Sequence, residues 1–250
     1  MLGIRRTLVR RIPRGFTLVE IAIAIFIITL LLGSILVPLT TQVEQRQVSE
    51  MQKMLEDIKA ALMGFAVANG YLPCPDKTTA GGAGIANDGI EDVNAGVCVA
   101  ASDGNVPWVT LGVGASDVWG NRFRYQVTPG FSQRAPAAGG SFNLSTAANI
   151  NVCTTSTCAA RLTAVSPDGA VAIIISLGKN GLGAINAITG TANPAPPVSS
   201  DEGQNTDTDT NFVSRTITPE GAAVGEFDDI VTWLGKYTLF QRMVAAGKLP

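Results

Sequence analysis

Residues 16–39 read FTLVEIAIAIFIITLLLGSILVPL, a nearly unbroken apolar run that follows Arg14-Gly15. At helical rise these 24 residues reach about 36 Å, enough to cross a bilayer. One charge, Glu20, sits near the start of the run, where a carboxylate is costly in lipid and needs a partner. Upstream lie Arg5, Arg6, Arg10, Arg11 and Arg14, with no acid among the first fifteen residues. The positive-inside rule keeps that flank cytoplasmic and sends the rest of the chain across the membrane. A cleaved secretory signal would have a shorter apolar core with a small-residue cleavage site behind it.

The apolar period continues beyond the run. Met51, Met54, Leu55, Ile58, Leu62 and Phe65 recur at three- and four-residue steps, with Glu50, Lys53, Glu56, Asp57 and Lys59 between them. This amphipathic stripe predicts a helix docked on the rest of the chain, and Asn69-Gly70 is its stop signal. The expectation is one helix over about 16–69, its first half in the membrane and its second half in a head.

Composition narrows the function. The 250 residues carry 18 basic and 20 acidic side chains and no His. No Ser-His-Asp triad, Cys-His pair, HExxH zinc site or His-ligated haem can be built from this chain alone. With the five leading arginines set aside, residues 16–250 hold 13 bases against 20 acids, a net of −7. The two parts of the chain therefore face different surroundings.

Residues 71–105, rich in Gly, Ala, Asn and Asp, read as a long irregular excursion. Apolar, β-rich runs follow at about 106–113, 122–128, 170–177, 212–218 and 229–234, each bounded by turn residues. They predict an antiparallel sheet packed on the helix, interrupted by inserts at 129–161 and 183–211. A short C-terminal helix over 238–246 would turn Leu239, Phe240, Met243 and Val244 inward. Four Cys in an exported head suggest two disulfides, with three possible pairings. Cys153 and Cys158, five apart, can close a small loop, which leaves Cys74 for Cys98. Neither pair has the C-x-x-C spacing usual for a Cys₄ zinc site.

Arg14-Gly15-Phe16-Thr17-Leu18-Val19-Glu20, with its basic leader and apolar run, resembles the type IV prepilin processing motif of pilins and type II secretion pseudopilins. The resemblance implies an α+β, pilin-like fold: a basic leader (1–15), a transmembrane half-helix (16–39), an amphipathic half-helix (40–70) and a β-rich head (71–250). It implies cleavage between Gly15 and Phe16 by prepilin peptidase, N-methylation of Phe16, and assembly through Glu20, whose carboxylate would meet the amine of Phe16 in the adjacent subunit. The implied function is a structural, non-enzymatic filament subunit, most simply a type II secretion pseudopilin. It would be held in the bacterial inner membrane with its head in the periplasm, with other pilin or pseudopilin subunits and the inner-membrane assembly platform as partners. The alternatives are a minor type IV pilin acting at a tip in adhesion, or a membrane-tethered periplasmic binding module.

Within the head, Asp117-Val118-Trp119-Gly120-Asn121, Ser176-Leu177-Gly178-Lys179-Asn180-Gly181 and Asp228-Asp229-Ile230 with Trp233 resemble elements of the major pseudopilin. The last two surround a calcium site in that family. The ligands implied here are the Leu177 carbonyl, Asn180, Asp228 and Asp229, with a further acid from 201–209. Clustered carboxylates and carbonyls suit that ion. Asp207-x-Asp209-x-Asn211 starts like an EF-hand and then fails, with Phe212 at the Gly position and Thr218 at the Glu position.

Ser176-x-x-Lys179 matches S-x-x-K, but the S-D-N and K-T-G partners of that catalytic set are missing. Adjacent strand residues such as Asp228 and Asp229 would point to opposite faces. Arg122 and Arg124 on one strand face are thin support for a nucleic-acid partner, which an acidic head does not favour.

Overall fold

A computed structural model describes residues 15–99, 103–134 and 142–249; inside the first helix the side chains of 32–41 lie outside the description. The elements in chain order are α1 (Leu18–Asn69), β1 (Val93–Asn94), β2 (Val97–Cys98), β3 (Asp103–Asn105), α2 (Trp108–Leu111), β4 (Arg124–Val127), α3 (Pro129–Ser132), β5 (Asn151–Cys153), β6 (Ala170–Ser176), α4 (Asp201–Gln204), β7 (Asn211–Val213), β8 (Ile230–Gly235) and α5 (Lys236–Ala245). Contacts divide the chain into residues 1–47 and 48–250.

The first unit is the N-terminal part of α1. Apolar side chains from Leu18 to Leu31 are exposed all round the helix, a surface that water does not tolerate unassisted. Among the described residues no helix is long and apolar enough to cross a membrane. The span expected over 16–39 continues into residues whose side chains lie outside the description.

In the second unit α1 supplies one wall of the core. Met51, Leu55, Ile58, Leu62 and Ala66 are buried, while Lys53, Glu56 and Asp57 face water. Phe65 turns aside to meet Tyr71 edge-on at 5.7 Å, so Ala66 takes the core position. The helix stops as the sequence predicts: the Gly70 N–H reaches the Ala66 carbonyl at 2.7 Å with φ of 83°. Glycine adopts that left-handed conformation without penalty.

The sheet is antiparallel in the order β3-β4-β6-β8. One face packs on α1 through Tyr125, Val127, Val171, Ile174 and Leu234. The other carries a second apolar cluster, in which Ile173 and Ile175 meet Val152, Ala184 and Phe212. Central β6 is therefore buried on both sides, which explains its unbroken run AVAIII. A register shift between Ala170 and Ala172 lets both Val171 and Ala172 join the first cluster.

Four expectations fail here, the first being that 71–105 is irregular, since its end forms β3 at an edge of the main sheet. Residues 106–113 do not form a strand: Pro107 precedes the one-turn helix α2, which ends at Gly112 with φ of 68°. Proline has no ladder donor and glycine accepts the left-handed cap. The run expected over 212–218 shortens to β7, which pairs in parallel with β5 outside the main sheet. Its partner β5 comes from the first insert, so the inserts build the layer that covers the far face of the sheet. In α5, Leu239, Phe240 and Met243 are buried but Val244 is exposed. Val244 lies about 140° round the helix from Leu239 and about 40° beyond Phe240, past the edge of the buried face.

Candidate functional site

The N-terminal segment forms a helix start. Helices begin with unpaired N–H groups, and here Thr17 and Glu20 satisfy two of them reciprocally. The Thr17 hydroxyl accepts the Glu20 N–H at 3.3 Å, and one Glu20 carboxylate oxygen accepts the Thr17 N–H at 2.8 Å and its hydroxyl at 2.9 Å. This is the capping-box arrangement. Gly15 and Phe16 precede the helix, Phe16 is exposed, and nothing lies within 4 Å of a side chain built at Gly15. The Gly15–Phe16 peptide is thus in open, non-helical chain, and the Glu20 carboxylate is held one turn away.

The second site lies in the head, where three acids converge. Ser200 caps α4 by accepting the Gly203 N–H at 2.9 Å. That short turn buries Glu202, whose carboxylate accepts the Asp228 N–H at 3.1 Å. Asp228 in turn accepts the Asn180 N–H at 2.8 Å, and buried Asp229 accepts the Asn205 amide at 2.7 Å. Oxygens of Glu202, Asp228 and Asp229 all lie within 4.8 Å of one another. Asp228 and Asp229 come just before β8, outside the regular strand, so the expectation that they diverge does not hold.

Burial pushes all three carboxyls up in pKa. The Asp228 and Glu226 charges add to the effect at Glu202 and the Glu226 charge at Asp228. Glu202 and Asp228 raise Asp229 further. Such a cluster needs protons or a cation. Asp228 Oδ1 is buried without a hydrogen-bond partner, and a side chain built at Gly178, where φ is 63°, would meet that oxygen at 2.0 Å. The loop backbone therefore closes over the acids as only glycine permits.

The donor set fits a hard divalent ion in its carboxylates, with one change from expectation. Asn180 turns its amide nitrogen to both Glu202 oxygens, at 3.1 and 3.2 Å, while its oxygen accepts the Leu182 N–H. It thus acts as a donor to the cluster. Leu177 lies buried in the second apolar cluster. Glu202 is the acid that the range 201–209 left open. The visible signal was a serine N-cap followed by two acids in a first turn. Asp207 and Asp209 are elsewhere, bridged by the Gln204 amide at 2.7 and 3.1 Å.

The motifs also interlock. Asp117 accepts the N–H groups of Trp119 and Asn121 at 3.0 and 2.8 Å, and the Ser176 hydroxyl at 2.8 Å. That hydroxyl serves as a structural tie. Arg122 stacks on Trp108 at 3.8 Å and donates to the Ala115 and Ala187 carbonyls. Arg124 grips Asp103 and the Asp207 carbonyl. Both guanidinium groups turn inward, although Arg122 Nε is buried without a hydrogen-bond partner. Disulfides join Cys74 to Cys98 and Cys153 to Cys158.

A family model described as the prokaryotic N-terminal methylation motif matches residues 10–36. No curated protein and no solved structure matches the chain. The matched stretch contains Gly15, Phe16, the Thr17–Glu20 cap and most of the apolar run; the chain carries the N-terminal signature of type IV pilins and pseudopilins.

Proposed function

We propose that this protein is a structural subunit of a type IV pilus-like filament, and specifically a type II secretion pseudopilin. The methylation motif over residues 10–36 carries the pilin-like part of the reading; the choice of a pseudopilin rests on the resemblance of the segments at 117–121, 176–181 and 228–233. In this reading prepilin peptidase cuts the open Gly15–Phe16 peptide at the cytoplasmic face of the inner membrane, and the new Phe16 amine is methylated. The apolar run holds the subunit in the membrane until the assembly platform extrudes it, and the head stands in the periplasm. Glu20 then receives the Phe16 amine of the neighbouring subunit. In a low-dielectric bundle, loss of one partner leaves the other charge buried and unpaired, which is expensive.

The subunit acts without catalysis, through packing alone. Glu20→Ala is expected to abolish incorporation into sheared filaments while the processed protein still accumulates with a folded head. Wild-type incorporation of Glu20→Ala would refute the assembly role. Gly15→Ala is expected to leave an uncleaved band, and normal processing of that variant would refute the cleavage site.

Calcium belongs to the same reading. Glu202, Asp228 and Asp229 would supply carboxylate oxygens, with Asp228 Oδ1 as the oxygen that otherwise has no partner. The ion would relieve their mutual repulsion and pin α4 to the approach to β8. A higher melting midpoint in calcium than in chelator, lost in Glu202→Gln, is expected; identical midpoints would exclude the ion.

A further inference from the structure

Beside the acidic trio the head opens a cavity of about 840 Å³. Asp201, Glu202 and Glu226 line it, together with the apolar side chains of Leu182, Pro197 and Val224. Its arginine, Arg215, is already engaged: Nε donates to Asp201 at 2.7 Å, a terminal nitrogen donates to Thr218 at 2.9 Å, and the group lies 4.6 Å from the Phe227 ring. Arg215 thus balances Asp201 in place, and the remaining lining acids, Glu202 and Glu226, give the cavity its negative character. The apolar side of the cavity extends outward. Val224, on its rim, is 69% exposed.

Thr155, Ser156, Thr157, Ser199 and Ser200 complete the lining, and its acidic and apolar parts together specify a ligand. A metal ion uses oxygens and has no need of an apolar wall several side chains long. A sugar ring stacks by preference on aromatic faces, and the described lining has none. A lysine or arginine side chain uses both halves, because its aliphatic stem lies along apolar surface while its charged end seeks carboxylates. We propose that this cavity binds a lysine or arginine side chain presented by a partner polypeptide. The stem lies against Leu182, Pro197 and Val224, and the cation reaches Glu202 and Glu226. Binding would discharge part of the repulsion that Glu202 bears from its acidic neighbours. The exposed Val224 receives an apolar residue flanking the basic one, which makes the site a peptide contact. The inference does not depend on the filament reading.

The test uses the full-length protein in detergent micelles with chelator present, so that a calcium effect does not enter. A short fluorescein-labelled peptide with one arginine flanked by leucines is titrated by anisotropy, against the same peptide with neutral citrulline. Saturable binding of the arginine peptide is expected, with the citrulline peptide weaker by about tenfold or more. Glu226→Gln, on a half-buried side chain, and Val224→Ser, on an exposed one, should each weaken binding while leaving the circular-dichroism spectrum unchanged. Equal affinity for the two peptides, absence of binding by the arginine peptide, or wild-type affinity in both variants would overturn the proposal.

Discussion

Asp76 is fully buried, and its carboxylate accepts the N–H groups of Asn87 and Gly89, both at 3.0 Å. Burial nevertheless pushes its pKa from 3.8 to about 7, helped by the Asp92 and Asp88 charges and opposed by those hydrogen bonds. As pH rises above about 4 the unfolded chain releases this proton while the folded head keeps it, so stability falls until pH passes about 7. Asp103, Asp117, Glu202, Asp228 and Asp229 are shifted in the same direction, burial being the first cause in each. The head should therefore melt higher at pH 5 than at pH 8, and Asp76→Asn should flatten the slope whatever it does to the midpoint. A midpoint that climbs from pH 5 to pH 8 would contradict this assignment. Among single residues, Glu20 was legible in the sequence as the lone charge of the apolar run, although the capping box it forms with Thr17 three residues away went unread. Glu202 and Asp76 owe their character to residues far off in sequence or to burial, which a pattern of neighbours does not encode.

Among the elements, α1 was the most readable because its period repeats over many turns and ends in Asn69-Gly70. Leu55 sits fully buried in the middle of the stripe. Leu55→Ala should cost about 2–5 kcal/mol, read as a lower denaturant midpoint of the head; a loss below about 1 kcal/mol would mean the helix does not wall the core. Strand β6 was legible for the same reason, as an apolar run too long for a half-exposed strand. The segment 106–113 was not, since hydrophobic content outweighed the single proline that decides it. The pairing of β5 with β7 was hidden too, because each is three residues long and their partnership spans 58 positions or more between strands. The disulfides divide by the same logic of distance. Cys74–Cys98 closes 24 residues and Cys153–Cys158 only 5. Loop entropy then predicts about 3 kcal/mol for the first and about 2 kcal/mol for the second. Replacing the first pair by serines should destabilise the head more, and the reverse order in urea unfolding would show that restriction of the unfolded chain is not what these bonds supply.

As a whole the chain runs from a basic start through an apolar stretch to an acidic remainder. The net charge of −2 conceals this, because five arginines precede a remainder of −7. The head adds a sheet covered on one face by α1 and on the other by the two inserts, with a carboxylate cluster and a cavity at the insert layer. In the function we propose, the chain is cut where its charge and hydropathy change together and is then methylated at its new terminus. The most direct test is mass spectrometry of the N-terminal peptide from protein purified out of the membranes of its own host. The expected product is a chain that begins at Phe16 and carries one methyl group on that amine. A chain that keeps residues 1–15, or begins at any other position, would contradict it.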